Sequence, residues 1–176
     1  MRTKVYIGTS LDGFIARKDG DIEWLTSFAN DEAVQAYEEF METIDAVVMG
    51  RGTFEKVLSF PSWPFEKKVF VLSTVLKETP ASLAGKVAIL SMEPAALLKY
   101  LEEKGFSSIY IDGGKVIQEF LKEDLIDELI ISRAPTLIGS GIPLFGSLDF
   151  DLQFRHLRTE VYSNELVRSY YERKRL

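Results

Sequence analysis

Three short stretches carry the residue types that hold phosphate: Gly113-Gly114-Lys115, Gly50-Arg51-Gly52-Thr53 and Ser73-Thr74. Glycine lets a chain turn sharply and lets a ligand come close to the backbone, because no Cβ intervenes. A helix that starts at such a turn aims its free N–H groups and its positive dipole end outward, and phosphate suits that position. Arg51 adds a planar cationic fork, Lys115 a point charge, and Thr53 a hydroxyl in a first helical turn. The same glycines would serve equally well just to make a corner. The spacing at 50–55 is not that of a Rossmann phosphate loop, since Glu55 stands where the third glycine belongs.

The surrounding pattern shows how these stretches are positioned. Ile109 to Ile111, Asp45 to Met49 and Lys68 to Leu72 read as buried strands ending in the three stretches. Further strands are expected at Lys4 to Ser10, Val87 to Leu90 and Glu128 to Arg133, with two long β-like segments at about 150–162 and 166–175. Amphipathic helices are expected at 31–43, through Val34, Tyr37, Met41 and Ile44, after Pro94, and after Gly114. Asp31 stands where it could cap the first of them. The implied fold is α/β: a twisted, mostly parallel sheet with helices on both faces and an antiparallel C-terminal edge, in one domain spanning 1–176. His156, alone in a strand, reads as structural, and the charges Arg168, Glu172, Arg173, Lys174 and Arg175 as a solvated face.

Composition narrows the function. The chain has 176 residues, a net charge of −6, no cysteine and one histidine. Disulfides, a thiolate nucleophile and multi-histidine metal sites are excluded, and no metal site is expected. The acidic balance argues against nucleic-acid or anionic-membrane partners. No apolar run approaches a membrane span, so a soluble, cytoplasmic protein is expected.

The ordered motifs Ser10-Leu-Asp-Gly-Phe-Ile-Ala16, Val48-Met-Gly-Arg-Gly-Thr-Phe-Glu55, Val71-Leu-Ser73, Ile111-Asp-Gly-Gly-Lys-Val-Ile-Gln-Glu-Phe-Leu121 and Pro135-Thr-Leu-Ile-Gly-Ser-Gly-Ile-Pro-Leu-Phe145 resemble the dihydrofolate reductase-like superfamily, in the branch of the riboflavin-biosynthesis reductase domain. The resemblance implies an NADPH-dependent reductase of a small pterin-, pyrimidine- or other carbonyl- or imine-type substrate, acting as a homodimer through the C-terminal edge. By the same analogy Gly50, Arg51 and Thr53 would hold cofactor phosphates, and Leu72, Ser73 and Thr74 would line the adenosine end. Gly113 and Gly114, often joined by a cis peptide in the family, would admit the pyrophosphate, with Lys115 facing the cofactor. Ile15 and Ala16 would border the nicotinamide, beneath a lid at 13–24 that carries Trp24. Trp24 and Ser132 would touch substrate, and Asp31 lies nearest the family's pterin-binding, proton-assisting carboxylate.

Departures from the family are also visible. Phe14 replaces the riboflavin enzyme's usual lysine or arginine, and its Asp-Pro-x-Leu-x-x-Arg segment is missing. Without cysteine no zinc deaminase partner domain is encoded here. A nucleotide-binding module without catalysis is the alternative function.

Overall fold

The computed structural model describes residues 1–163 and 165–175. In chain order the elements are β1 (Arg2–Thr9), β2 (Phe14–Ala16), α1 (Glu23–Thr26), α2 (Asp31–Glu42), β3 (Ala46–Gly50), α3 (Arg51–Leu58), β4 (Lys68–Leu72), β5 (Val87–Leu90), α4 (Pro94–Glu103), β6 (Ser108–Asp112), α5 (Gly114–Lys122), β7 (Glu128–Arg133), β8 (Ile142–Pro143), β9 (Phe154–Val161) and β10 (Val167–Arg173). No helix among the described residues is long and apolar enough to cross a membrane.

Eight strands form one sheet in the order β5-β4-β3-β6-β1-β7-β10-β9. From β5 to β7 every pairing is parallel, and β10 then joins β7 and β9 antiparallel, as the sequence pattern predicts. Period-two alternation sends the strand residues into two cores. Ala46, Val48, Ile109 and Ile111 pack beneath α4 and α5 with Leu97, Leu101, Ile117 and Phe120. Val47, Met49 and Tyr110 face α2 and α3 with Phe40, Phe54 and Val57. A near-continuous apolar strand is what burial on both faces demands.

Local signals explain several boundaries. Pro94 opens α4 at a position where its missing N–H costs nothing, and Gly105, with φ 87°, follows the helix end in the left-handed region. At α2 the cap belongs to Asn30, whose Oδ1 accepts from the Ala33 amide at 2.9 Å. Asp31 is instead the first helical residue and is exposed. Val34, expected on the apolar stripe, is 48% exposed, and the buried position is Phe40. The segment 13–24, expected as a lid, contains β2, while α1 begins at its end. β2 pairs antiparallel with β8, a contact between residues some 126 positions apart that no local pattern announces.

Candidate functional site

The parallel strands bring the glycine corners to one rim. In the β3–β4 register Gly50 stands opposite Leu72, and in the β3–β6 register Met49 stands opposite Asp112. Gly50, Ser73 and Gly113 therefore leave three adjacent strands at nearly the same height, each strand about 4.8 Å from the next. α3 starts at Arg51 and α5 at Gly114, so two helix N-termini open on this rim.

The corners touch each other as well as lining up. Gly113 has φ 92°, and a Cβ added there would come 2.2 Å from Thr53 Oγ1. Gly50 lies against Val116, at 3.0 Å from a built Cβ to Cγ2. At Gly114 the corresponding neighbours are Ile15 Cδ1 at 2.8 Å and the Pro143 carbonyl oxygen at 3.3 Å. Ala16 is reached in turn by Gly141, whose built Cβ would meet the Ala16 carbonyl oxygen at 2.2 Å. Thr53, Gly113, Gly114, Ile15 and Ala16 thus occupy one continuous stretch of rim. The Gly113–Gly114 peptide is trans, as are all described peptides.

The cations on the rim are exposed. Arg51 is paired with Glu55 at 3.5 Å, both half in solvent, an interaction of small net worth that a phosphate can displace. Lys115 is also exposed. The Ser73 hydroxyl accepts from the Val75 and Leu76 amides at 3.1 and 2.9 Å, which folds the chain after β4 and leaves its O–H free to donate. Thr74 follows it, exposed.

Three expected substrate or proton-handling residues lie differently. Asp31 is a solvent-facing residue of the first turn of α2, where its charge complements the helix dipole. Trp24 is buried with Ala134, Tyr162 and Leu166, and its indole N–H has no partner. It is an anchor of α1 rather than an exposed lid residue. Ser132 is buried and accepts from Arg168 Nε at 2.8 Å.

Arg168 itself, read from sequence as part of a solvated face, is 2% exposed. Strand alternation in β10 turns it inward, where its guanidinium lies 4.4 Å from the Tyr162 ring and 4.8 Å from that of Tyr6. It also donates to the Tyr162 hydroxyl, which in turn donates to Glu160 at 2.9 Å. The buried charge is satisfied through hydrogen bonds and π faces. His156 is exposed and within 2.7 Å of Thr159 Oγ1, in keeping with a structural role.

A carboxylate absent from the sequence expectations stands at the centre of the rim. Asp112 closes β6, one residue before Gly113 and across from Met49. Burial pushes its carboxyl up to about 6, against the opposing pull of the Gly113 amide and the Tyr110 hydroxyl. Since the Tyr110 O–H is committed to the Tyr6 carbonyl oxygen at 2.9 Å, burial is the dominant cause. The Tyr37 hydroxyl is raised as well, first by burial and next by the nearby Asp112. A carboxyl of this kind keeps a protonated fraction near neutrality and can act as a general acid. The sequence signal was available: a lone acid ending the apolar run Ile109-Tyr-Ile, directly before the glycine pair.

The mostly parallel sheet, covered by helices on both faces and closed by an antiparallel edge, is a dihydrofolate reductase-like fold. The profile of the RibD C-terminal domain family matches residues 4–168, and the chain belongs to that family. The uncharacterized protein YwjB of Bacillus subtilis (strain 168) is 37% identical over 173 residues, covering 96% of this chain and 97% of that one. A crystal structure of a putative riboflavin biosynthesis protein from Shewanella sp. PV-4 superposes with TM-score 0.94 at 46% identity, covering 99% and 100% of the two chains. Dihydrofolate reductase from Enterococcus faecalis, complexed with NADP(H), shares the fold at TM-score 0.72 and 17% identity, over 99% and 97% of the chains. The bifunctional deaminase/reductase of Thermotoga maritima also shares it, at TM-score 0.77 and 17% identity, with this chain spanning 56% of that enzyme. The family is of reductase type.

Proposed function

We propose that this protein is an NADPH-dependent reductase of a small carbonyl-, imine-, pterin- or pyrimidine-type substrate. The observation that carries the reading is the convergence of Gly50, Ser73 and Gly113, with the N-termini of α3 and α5, on one rim beside the half-buried Asp112. A diphosphate needs N–H and O–H donors where it passes, and the N-termini of α3 and α5 with the Thr53 hydroxyl supply them, while the space a Cβ would take at Gly113 is filled by Thr53 itself. Bound NADPH supplies the hydride.

The chain's own residues do the rest. Arg51 and Thr53, with the N-termini of α3 and α5, hold the phosphates, and Gly50, Gly113, Gly114 and Lys115 shape and charge the passage between them. Leu72, Ser73 and Thr74 border the adenosine end. Ile15 and Ala16 form an apolar wall that keeps water from the reacting carbon. Asp112 Oδ–H donates a proton to the substrate atom that gains electron density, and Tyr37 lies next to it. The missing Asp-Pro-x-Leu-x-x-Arg segment argues for a substrate without the ribosyl phosphate of the riboflavin intermediate.

Titration with NADPH and NADH, followed by tryptophan fluorescence, tests the cofactor assignment. Micromolar NADPH binding is expected, at least tenfold tighter than NADH, and Arg51→Ala should weaken NADPH by about 1–3 kcal/mol. Equal millimolar affinity for both nucleotides would refute the assignment. Tight NADPH binding with no oxidation by any reducible carbonyl, imine or pterin compound would instead favour a nucleotide-binding module.

The same reading includes a single domain and a homodimer. β9 is an edge strand, paired with β10 on one side only, that exposes Leu157 and Val161, and edges of this length are normally covered. Sedimentation equilibrium should give twice the chain mass. A monomer at micromolar concentration would remove the dimer from the proposal.

A further inference from the structure

We propose that Asp12 is a positioning residue whose carboxylate clasps the 137–141 loop onto β2 and thereby sets the wall beside which the nicotinamide ring is held. The inference rests on the cofactor reading above. Asp12 is exposed and touches none of the strand cores, yet both its oxygens are spent on backbone and side-chain donors. Oδ1 accepts from the Ser10 hydroxyl at 2.6 Å and from the Ile138 amide at 3.3 Å, and Oδ2 from the Gly139 amide at 2.8 Å. The two segments are more than 120 residues apart, so this carboxylate joins loops that follow different strands.

What the clasp holds is the wall itself. Ser10 is buried, and its Oγ accepts from the Phe14 amide at 3.0 Å, tying Asp12 to the first residue of β2. Beyond Gly139 the loop passes Ala16 so closely that a Cβ on Gly141 would lie 2.2 Å from the Ala16 carbonyl oxygen. It then runs into β8, whose Pro143 carbonyl oxygen borders Gly114 at the start of α5. Asp12, the loop, β2 and the glycine corner therefore form one chain of contacts. Three hydrogen bonds that favour the charged form also keep the Asp12 carboxyl below its ordinary range, the Ser10 hydroxyl first among them. An acid kept ionised by Ser10 first and by the two loop amides after it is a fixed acceptor for that loop.

Backbone bonds alone would leave the loop attached. Leu11 N donates to Thr136 O at 2.8 Å, and Leu144 N to Gly13 O at 3.1 Å. These secure its two ends. Asp12 secures the middle, at Ile138 and Gly139, two residues before Gly141 meets Ala16. Losing the carboxylate should therefore loosen the wall with little effect on the fold, and misplacement of a reacting ring by a fraction of an ångström is costly.

The test compares two probes that share one half. NADPH reaches the wall, whereas 2′,5′-ADP carries only the adenosine with its 2′- and 5′-phosphates and does not. Asp12→Ala is expected to weaken NADPH about tenfold and 2′,5′-ADP less than twofold. Amide exchange at Ile138 and Gly139 should accelerate at least tenfold, with the melting temperature nearly unchanged. Parallel weakening of both probes, or unchanged NADPH binding once those amides exchange freely, would overturn the positioning role. If Asp12→Ala does not fold, Asp12→Asn, which keeps the volume and one acceptor, carries the same comparison. Failure of the wild-type protein to bind either probe would bring down the cofactor reading and this inference with it. Wild-type binding with a parallel loss in the variant brings down the inference alone.

Discussion

Asp112→Asn should abolish most turnover while making the protein more stable at neutral pH. Asparagine keeps the shape but has no proton to give, so a loss of at least about 100-fold in kcat is expected. NADPH affinity should change less than about threefold, because the carboxylate does not hold phosphate. The wild-type rate should be highest below about pH 6 and fall roughly tenfold per pH unit above it, since the protonated acid is the working form. The stability effect has the opposite sense. A carboxyl raised to about 6 binds its proton more tightly in the native chain than in the unfolded one. Its contribution to stability therefore falls as pH rises from about 4 to 6 and stays low above that window. Removing the ionisable group should recover about 1–3 kcal/mol at pH 7 and almost nothing at pH 4. Thermal melts at the two pH values and a pH–rate profile check both halves. A variant that retains normal turnover, or melts lower at pH 7, would exclude Asp112 as the buried acid.

Gly113→Ala is expected to be the most damaging small substitution on the rim. The residue sits at φ 92°, where L side chains are strained by about 1–2 kcal/mol. Its new methyl would also stand 2.2 Å from Thr53 Oγ1. Overpacking of that kind adds about 1–3 kcal/mol, so a total of about 2–5 kcal/mol and a large loss of NADPH affinity are expected. Thr53→Ala should cost far less alone. In the double variant the clash is relieved and the backbone strain is not, so part of the loss should return. Denaturant unfolding of the four proteins measures that coupling. Strict additivity would mean that Thr53 and Gly113 do not press on each other.

Much of this was legible along the chain. Apolar runs ending in Gly50, Ser73 and Gly113 announced strands that stop at turns, and the unbroken apolar run of Ala46 to Met49 announced cover on both faces. Pro94 and Gly105 marked the ends of α4 for reasons of backbone geometry alone. The misreadings share a cause, since each concerned which neighbour a residue meets in space. Asp31 and Asn30 are both capping residues, and only the chain path into α2 chooses between them. Val34 and Phe40 have similar local credentials, yet where α2 lies across the sheet buries one and exposes the other. Arg168 looked like surface charge because its partners, Ser132, Tyr162 and Tyr6, come from other segments of the chain. Asp112 escaped notice because its chemistry comes from burial, which no single residue type encodes.

The amino-acid order by itself determined the α/β alternation, the two-faced burial of the strands and the placing of glycine at their ends, because these follow from side-chain period and backbone sterics within a few residues. Only the tertiary structure decided that β6 lies between β3 and β1, that β8 folds back onto β2, and that Asp112 is half-buried at the end of its strand. Those outcomes come from the joint packing of segments far apart in sequence. The desolvation that turns a strand-end aspartate into an acid is a property of that packing.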